Sequence, residues 1–217
     1  MFFRPLFLLM VFAVAPFAMA EKFDVVIDAG HGGKDTGIVV SFNGNKIQEK
    51  DITLDLALRI RAQLQAAGIS VFMTREDDRH ILLDKRRELI GAHCRYFSLS
   101  LHADVSAVNY PPVHSAQGMV LFYWTQKGRD GDVSFIPHSL RIGEKLRHEL
   151  HIQEPIHAAN FAILKTNACP SLFLGAGALE DSEDLARLAN ENSRKETADK
   201  IAAAIIATVK MEKSRQQ

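Results

Sequence analysis

The chain has 217 residues, of which 47% are hydrophobic, and its 26 Lys and Arg residues balance 26 Asp and Glu residues. A net charge of zero disfavours nucleic acid and anionic lipid as partners, because both attract proteins with an excess of positive charge. The hydrophobic content is enough to build a substantial core without a framework of disulfides.

Residues 1–20 have the pattern of a cleaved export signal. Arg4 gives a weakly basic start, residues 6–17 are mainly apolar, and Ala18-Met19-Ala20 matches a small-x-small cleavage site. The apolar run is short for a membrane span, and an uncleaved N-terminal anchor is the alternative. We therefore expect cleavage after Ala20, a periplasmic or secreted protein without membrane attachment, and a single domain over residues 21–217.

The first element of the mature chain is the stretch FDVVIDAGHGG at residues 23–33. Its β-branched run predicts a strand that is buried on both faces and ends at Gly30. His31 follows at once between glycines, which allow the backbone to turn tightly and approach a ligand closely. Strand ends of open α/β sheets are common ligand sites. The alternative is that His31 merely occupies a glycine turn.

The rest of the chain alternates between the two kinds of secondary structure. Residues 34–48 predict a loop. Periodicity predicts helices at 51–67, 82–92, 137–150, 183–189 and 196–209, and strands at 69–74, 97–101, 118–124, 161–164 and 172–174. We expect the terminal KMEKSRQQ to be a frayed helix end. This alternation predicts one α/β domain with a mostly parallel, twisted sheet of about six strands and helices on both faces.

The two cysteines, Cys94 and Cys169, each precede a predicted strand. An oxidising compartment permits them to pair if those strands are neighbours. Two buried free thiols remain the alternative.

A second histidine, His102, ends its own strand in SLHAD, as His31 ends the first. Two parallel neighbouring strands would bring both imidazoles to one edge of the sheet. Glu49, in QEKD at the start of a helix, can reach the same edge. Two histidines and a glutamate are a known ligand set for catalytic zinc. The alternative for Glu49 is a helix charge favoured by the macrodipole.

The blocks DAGHGGKDTG, EKD, SLHAD and PSLFLGAGALED follow one another along the chain. In this order they resemble the zinc-dependent N-acetylmuramoyl-L-alanine amidases, and the resemblance covers residues 24–208, including TREDDR. It implies that His31, Glu49 and His102 bind one Zn²⁺ per chain. It also implies that peptidoglycan is the substrate, cleaved at the amide between the lactyl group of N-acetylmuramic acid and L-alanine.

One position departs from the family pattern. In related enzymes a glutamate, in a pattern resembling PxVLVExGFLSN, takes the proton of the attacking water and hands a proton to the leaving amine. Gly175 occupies this position in PSLFLGAGALED. Since glycine has no proton to transfer, the catalytic residues stay unassigned.

Three hypotheses follow from Gly175. The protein is a pseudo-enzyme that keeps zinc and cell-wall binding, or a weak enzyme without the ~10²–10⁴-fold of general acid–base catalysis, or Glu180 or another carboxylate substitutes. Glu180 is up to ~16 Å beyond Gly175 if extended at ~3.3 Å per residue, so it helps only if residues 175–177 fold back. The simpler interpretation is that Glu180 and Asp181 cap the following helix.

The sequence gives weaker support for a functional role at the remaining candidate residues. Glu144, His148 and His151 would share a helical face, but this spacing is ordinary for a surface helix. Arg75, in TRED, faces substrate carboxylates or pairs with Glu76 or Asp77. A strand-end context is also lacking for four further histidines, His93, His114, His138 and His157.

The sequence also allows an expectation about whether solvent reaches the predicted zinc. Some family members that need activators have a long helix over the zinc after the SxHA block. Here the segment TQKGRDGDVS is too short and glycine-rich for such a helix. The predicted zinc is therefore open to solvent, and the need for an activator protein stays open.

Overall fold

The computed structural model describes residues 20–104, 118–125, 133–166 and 168–216. Residues 1–19 of the predicted signal, His114 and most of TQKGRDGDVS lie outside this part of the chain. Within it, the helices are too short or too polar to cross a membrane.

The described residues form eight strands and five α-helices. The strands are β1 (Phe23–Ala29), β2 (Val39–Phe42), β3 (Asn45–Gln48), β4 (Val71–Met73), β5 (Cys94–His102), β6 (Val120–Trp124), β7 (His157–Ala159) and β8 (Ser171–Gly175). The helices are α1 (Glu49–Ala66), α2 (Leu83–His93), α3 (Ile136–Glu149), α4 (Ser182–Ala189) and α5 (Glu191–Arg215).

Six strands form the main sheet in the order β4-β1-β5-β8-β6-β7, while β2 and β3 form a separate hairpin. Neighbouring strands are parallel except β6 and β8. The predicted α/β domain with a mostly parallel six-stranded sheet is therefore confirmed. Since β1, β5 and β8 run side by side in one direction, their carboxyl ends meet at one edge.

Both faces of the sheet are covered, as the sequence predicts. Leu56 of α1 and Ile205 of α5 belong to the core on one face, together with Ile27, whereas Ile90 of α2 packs on the other face with Val26. All five side chains are 1% exposed or less. Burial on both sides explains the β-branched run in β1.

Several local predictions are wrong. Residues 161–164 do not form a strand: Ala162–Leu164 is a 3₁₀ turn, and the edge strand lies earlier, at His157–Ala159. The predicted loop at 34–48 contains the hairpin β2–β3. The terminal segment KMEKSRQQ is not frayed as predicted. The helix α5 continues through it as far as Arg215, and the buried Glu212 in this part of the helix pairs with Arg141.

Cys94 and Cys169 are joined by a disulfide, with their Cα atoms 6.0 Å apart. They lie at the amino ends of β5 and β8, which are neighbours in the sheet. The disulfide therefore ties together the starts of the two strands that end at His102 and Gly175.

Candidate metal centre

His31 lies directly after β1 in a left-handed conformation, with φ of 59°. Gly30, just before it, is in close contact with β5: a Cβ on Gly30 would lie 2.6 Å from Nε2 of His102 and 2.8 Å from the carbonyl oxygen of Leu101. No side chain fits there. The glycine therefore lets the two strand ends approach each other closely.

His102 ends β5 beside this turn. The register pairs Ala29 with Leu101, so the two strands end level with each other. The rings of His31 and His102 are 4.9 Å apart between centroids and nearly perpendicular. The two imidazoles therefore lie together at one edge of the sheet, as predicted.

Glu49 begins α1 and inserts between the two histidines. Its Oε2 lies 3.0 Å from Nε2 of His31, and its Oε1 lies 3.0 Å from Nδ1 of His102. The same oxygens accept backbone N–H groups of Ile38 at 3.1 Å and Ala103 at 3.0 Å. Only 1% of the side chain is exposed. Glu49 is therefore not a solvated first-turn charge of the helix.

The electrostatics of this cluster favour an anionic carboxylate. Burial raises the pKa of Glu49, but hydrogen bonds and positive charge from His102 and His31 outweigh it and hold that pKa far below its usual range. Burial lowers the pKa of His31, but the contacts with Glu49 and Asp35 outweigh it and raise that pKa. A buried carboxylate anion between two imidazole rings is a favourable place for a metal cation to bind.

One ligand atom from each of His31, Glu49 and His102 lies within 4.8 Å of the others. Two imidazole nitrogens and a carboxylate oxygen are a donor set that zinc accepts, with a fourth position left for water. Within the described residues, this is the one such group of three or more. Glu144, His148 and His151 do not form a second one.

Asp35 is a site residue that the sequence analysis missed. Its Oδ1 lies 2.9 Å from Nδ1 of His31 and also accepts the N–H of Gly37 at 3.2 Å. A carboxylate on the far nitrogen fixes the ring orientation of a metal-binding histidine. The signal was present, since Asp35 follows His31 by four residues in GHGGKD, but a tight turn is needed to bring them together.

Two buried arginines hold the end of β1. Arg86 donates to the carboxylate of Asp28 and to the carbonyl oxygen of Ala29. Arg75 is 1% exposed and donates to the carbonyl oxygens of Ala29, Gly30 and Lys50. A guanidinium this deeply buried does not face substrate carboxylates. Its contact with Asp77 is a hydrogen bond to the backbone carbonyl oxygen at 3.1 Å and not an ion pair with the side chain.

Gly175 ends β8 beside the metal centre. The register of β5 and β8 pairs His102 with Gly175, and residues paired across neighbouring strands point to the same face. Phe173, two residues earlier on this face, stacks on the ring of His102 with centroids 4.4 Å apart. A side chain at position 175 would therefore project on the side of the sheet that carries His102.

The two carboxylates that follow Gly175 most closely are Glu180 and Asp181. Asp181 accepts the N–H groups of Glu183 and Asp184 and caps α4, so the cap prediction is confirmed for Asp181. Glu180 is exposed.

The cluster opens into a cleft of about 270 Å³. Its walls combine the strand ends with the segment that precedes α2, and the lining residues include Gly30, His31, His80, Leu82, His102 and Ile163. The side chains of His31 and His102 are 20% and 17% exposed. Solvent therefore reaches the two imidazoles from this cleft.

A mostly parallel sheet with two histidines and a buried glutamate at its carboxyl edge defines an α/β protein with a candidate mononuclear metal site. The family model described as N-acetylmuramoyl-L-alanine amidase matches residues 25–207. The chain belongs to this family of peptidoglycan amidases.

Named relatives agree with the family. The chain is 29% identical to the N-acetylmuramoyl-L-alanine amidase AmiA of Escherichia coli K12, over 84% of this chain and 75% of the relative. It is 28% identical to AmiC of E. coli O6:H1 and 26% identical to AmiC of Neisseria meningitidis. The chain spans about half the length of these two AmiC proteins, at 52% and 51%.

Solved structures have the same fold. The CwlD amidase of Clostridioides difficile, solved in complex with the GerS lipoprotein, superposes with a TM-score of 0.69 at 24% identity and covers 89% of this chain and 99% of that one. The amidase AmiC2 of Nostoc punctiforme gives a TM-score of 0.63 at 25% identity and covers 91% and 99%.

Proposed function

We propose that this protein binds one Zn²⁺ through His31, Glu49 and His102 and acts on the amide between N-acetylmuramic acid and L-alanine in peptidoglycan, with hydrolysis impaired at Gly175. The observation that carries the proposal is the buried carboxylate of Glu49 between two imidazoles at the end of a cleft. Such a carboxylate is costly to bury without a cation.

Bound zinc would polarise the amide carbonyl and lower the pKa of a water molecule toward ~7. The chain's own residues do the rest. His31 and His102 line the cleft, while Asp35 and the backbone N–H groups of Ile38 and Ala103 hold the ligands in place. The leaving amine of L-alanine still needs a proton, and position 175 supplies none.

A second candidate function is a pseudo-amidase that binds peptidoglycan or regulates its turnover through the same zinc-dependent cleft. The observation that favours it is the pairing of Gly175 with His102, since this position adjoins a candidate metal ligand and carries no side chain. The two candidates predict the same metal and the same wall binding. They differ in turnover.

We further infer that residues 1–20 are removed and that the protein acts in the periplasm or outside the cell. The disulfide between Cys94 and Cys169 supports an oxidising compartment. Peptidoglycan lies in the same compartment, so substrate and protein would meet there.

The test of this function starts with metal analysis and sedimentation with purified cell-wall sacculi. Wild-type protein is expected to carry about one zinc per chain and to sediment with sacculi. A variant with both His31→Ala and His102→Ala should lose zinc, since two of three ligands are gone. His148→Ala, on the exposed surface of α3, is the matched control and should keep it. Stoichiometric zinc in the double variant would place the metal elsewhere.

A further inference from the structure

His80 lines the metal cleft together with His31 and His102. It lies in the segment between β4 and α2, and its backbone packs on the glycine turn after β1. A Cβ on Gly33 would lie 2.7 Å from the backbone nitrogen of His80 and 3.0 Å from its Cβ. His80 is therefore held beside the turn that positions His31.

The other ionisable groups of the cleft are already engaged. Asp28 accepts hydrogen bonds from Thr74, Ser100 and Arg86. Burial raises the pKa of Asp28, but the charge of Arg86 and these hydrogen bonds outweigh it and lower that pKa. This carboxylate is thus held in its ionised form, which cannot donate a proton.

Asp35 is engaged by His31 and the N–H of Gly37. His80, by contrast, is an exposed side chain and has no hydrogen bond with the other described residues. Its charge is among the influences that lower the pKa of Asp35. Its imidazole lines the cleft and is accessible to a group bound there. Imidazole is also the side chain that most often serves as a general acid or base.

We propose that His80 carries the proton in the hydrolysis that this chain retains without a carboxylate at position 175. The inference rests on the proposed function. As the oxygen of the attacking water bonds to the carbonyl carbon, the imidazole of His80 takes one proton from that water. It then gives this proton to the nitrogen of L-alanine as the carbon–nitrogen bond breaks. The products are the lactyl carboxylic acid and a free amine.

A double-mutant cycle with Gly175→Glu tests this role, because a restored glutamate makes a second proton carrier unnecessary. In the wild-type background, His80→Gln is expected to lower kcat at least ~10-fold, within the range of general acid–base catalysis. In the Gly175→Glu background the same change should cost less than ~3-fold, since the glutamate then carries the proton. The assay is release of peptide from purified muropeptides.

Three further measurements complete the experiment. Added imidazole should raise the rate of His80→Ala but not that of the wild type. Zinc content should be the same in all His80 variants, because His80 is not a ligand. The control His148→Ala, also an exposed histidine, should not change the rate.

Equal losses in the two backgrounds would overturn the proposal, because His80 would then bind or shape the site without carrying the proton. Loss of zinc in His80→Gln would also overturn it. A third result would also overturn the proposal: the Gly175→Glu variant is active, but wild-type protein hydrolyses the substrate no faster than Glu49→Gln. His80 would then not replace the glutamate. If Gly175→Glu is inactive as well, the proposed function fails together with this role.

Discussion

Replacing Glu49 by glutamine is the most informative change at the metal centre, because it keeps the shape of the side chain and removes its charge. The carboxylate accepts the N–H groups of Ile38 and Ala103, one on each oxygen. An amide has only one oxygen, so one of these donors loses its acceptor. A buried donor without a partner costs about 1–3 kcal/mol. We expect the free energy of unfolding of the zinc-free protein to fall by about this amount.

The effect on zinc should be larger. Four-ligand zinc sites bind with roughly 10–16 kcal/mol, which is about 2.5–4 kcal/mol per ligand if shared equally. Since 1.4 kcal/mol is a factor of ten, removal of the anionic ligand should weaken zinc binding by roughly 10²–10³-fold. Glu49 is the only anion of the proposed ligand set, so the loss should lie toward the upper end.

Equilibrium dialysis against a zinc buffer, with metal analysis, measures the dissociation constant, and urea unfolding of the zinc-free protein measures stability. Glu212→Gln is the matched control, because Glu212 is also a buried glutamate but pairs with Arg141 on α3. This control should lose stability without losing zinc affinity. Unchanged zinc affinity in Glu49→Gln would refute the assignment of Glu49 as a ligand.

Three further predictions concern access and stability. A small chelator should strip zinc quickly at neutral pH, because the cleft leaves both imidazoles partly exposed; removal over many hours would reveal a lid. Asp28→Asn should lower the free energy of unfolding by about 3–5 kcal/mol, since Arg86 loses its buried partner. Urea titrations should show the whole difference in free energy of unfolding between wild type and Asp28→Asn at neutral pH. The difference should vanish as the pH falls through the lowered pKa of Asp28, because the wild-type carboxyl then becomes protonated and uncharged as well. In a Cys94→Ser, Cys169→Ser variant the free energy of unfolding should fall by about 4.5 kcal/mol, the chain-entropy value for a loop of 75 residues; an unchanged urea midpoint would contradict this.

The fold could be predicted because its central strands carry strong local signals. The β-branched run of β1 and the Leu-rich β5 are buried on both faces, and the sequence places each histidine directly after such a run. Parallel strands bring their carboxyl ends to one edge of the sheet, so His31 and His102 meet once β1 and β5 are neighbours. Glu49 could be included because it starts the first helix.

The errors lie where tertiary contacts decide. The edge strand His157–Ala159 has only three residues, too few for a periodic pattern, while Phe161 and Ile163 are apolar because they pack under the sheet from a 3₁₀ turn. Asp35 contacts His31, and the backbone of His80 packs on Gly33, only because of the turn at residues 30–33, which no spacing rule describes. The disulfide depended on the order of strands β5 and β8, which sequence periodicity does not contain.

The central claim is that this amidase-family chain keeps the residues of a metal centre but lacks the strand-end glutamate that moves the proton in related enzymes. The most direct test compares wild-type protein with Gly175→Glu in a muropeptide assay. The pairing of Gly175 with His102 places the new carboxylate on the side of the sheet that carries this ligand. We predict release of the peptide at a rate at least ~10²-fold higher in the variant, the low end of what general acid–base catalysis supplies, and loss of this gain when Glu49→Gln is added. Wild-type cleavage of the muramoyl–alanine bond as fast as in Gly175→Glu would contradict the claim.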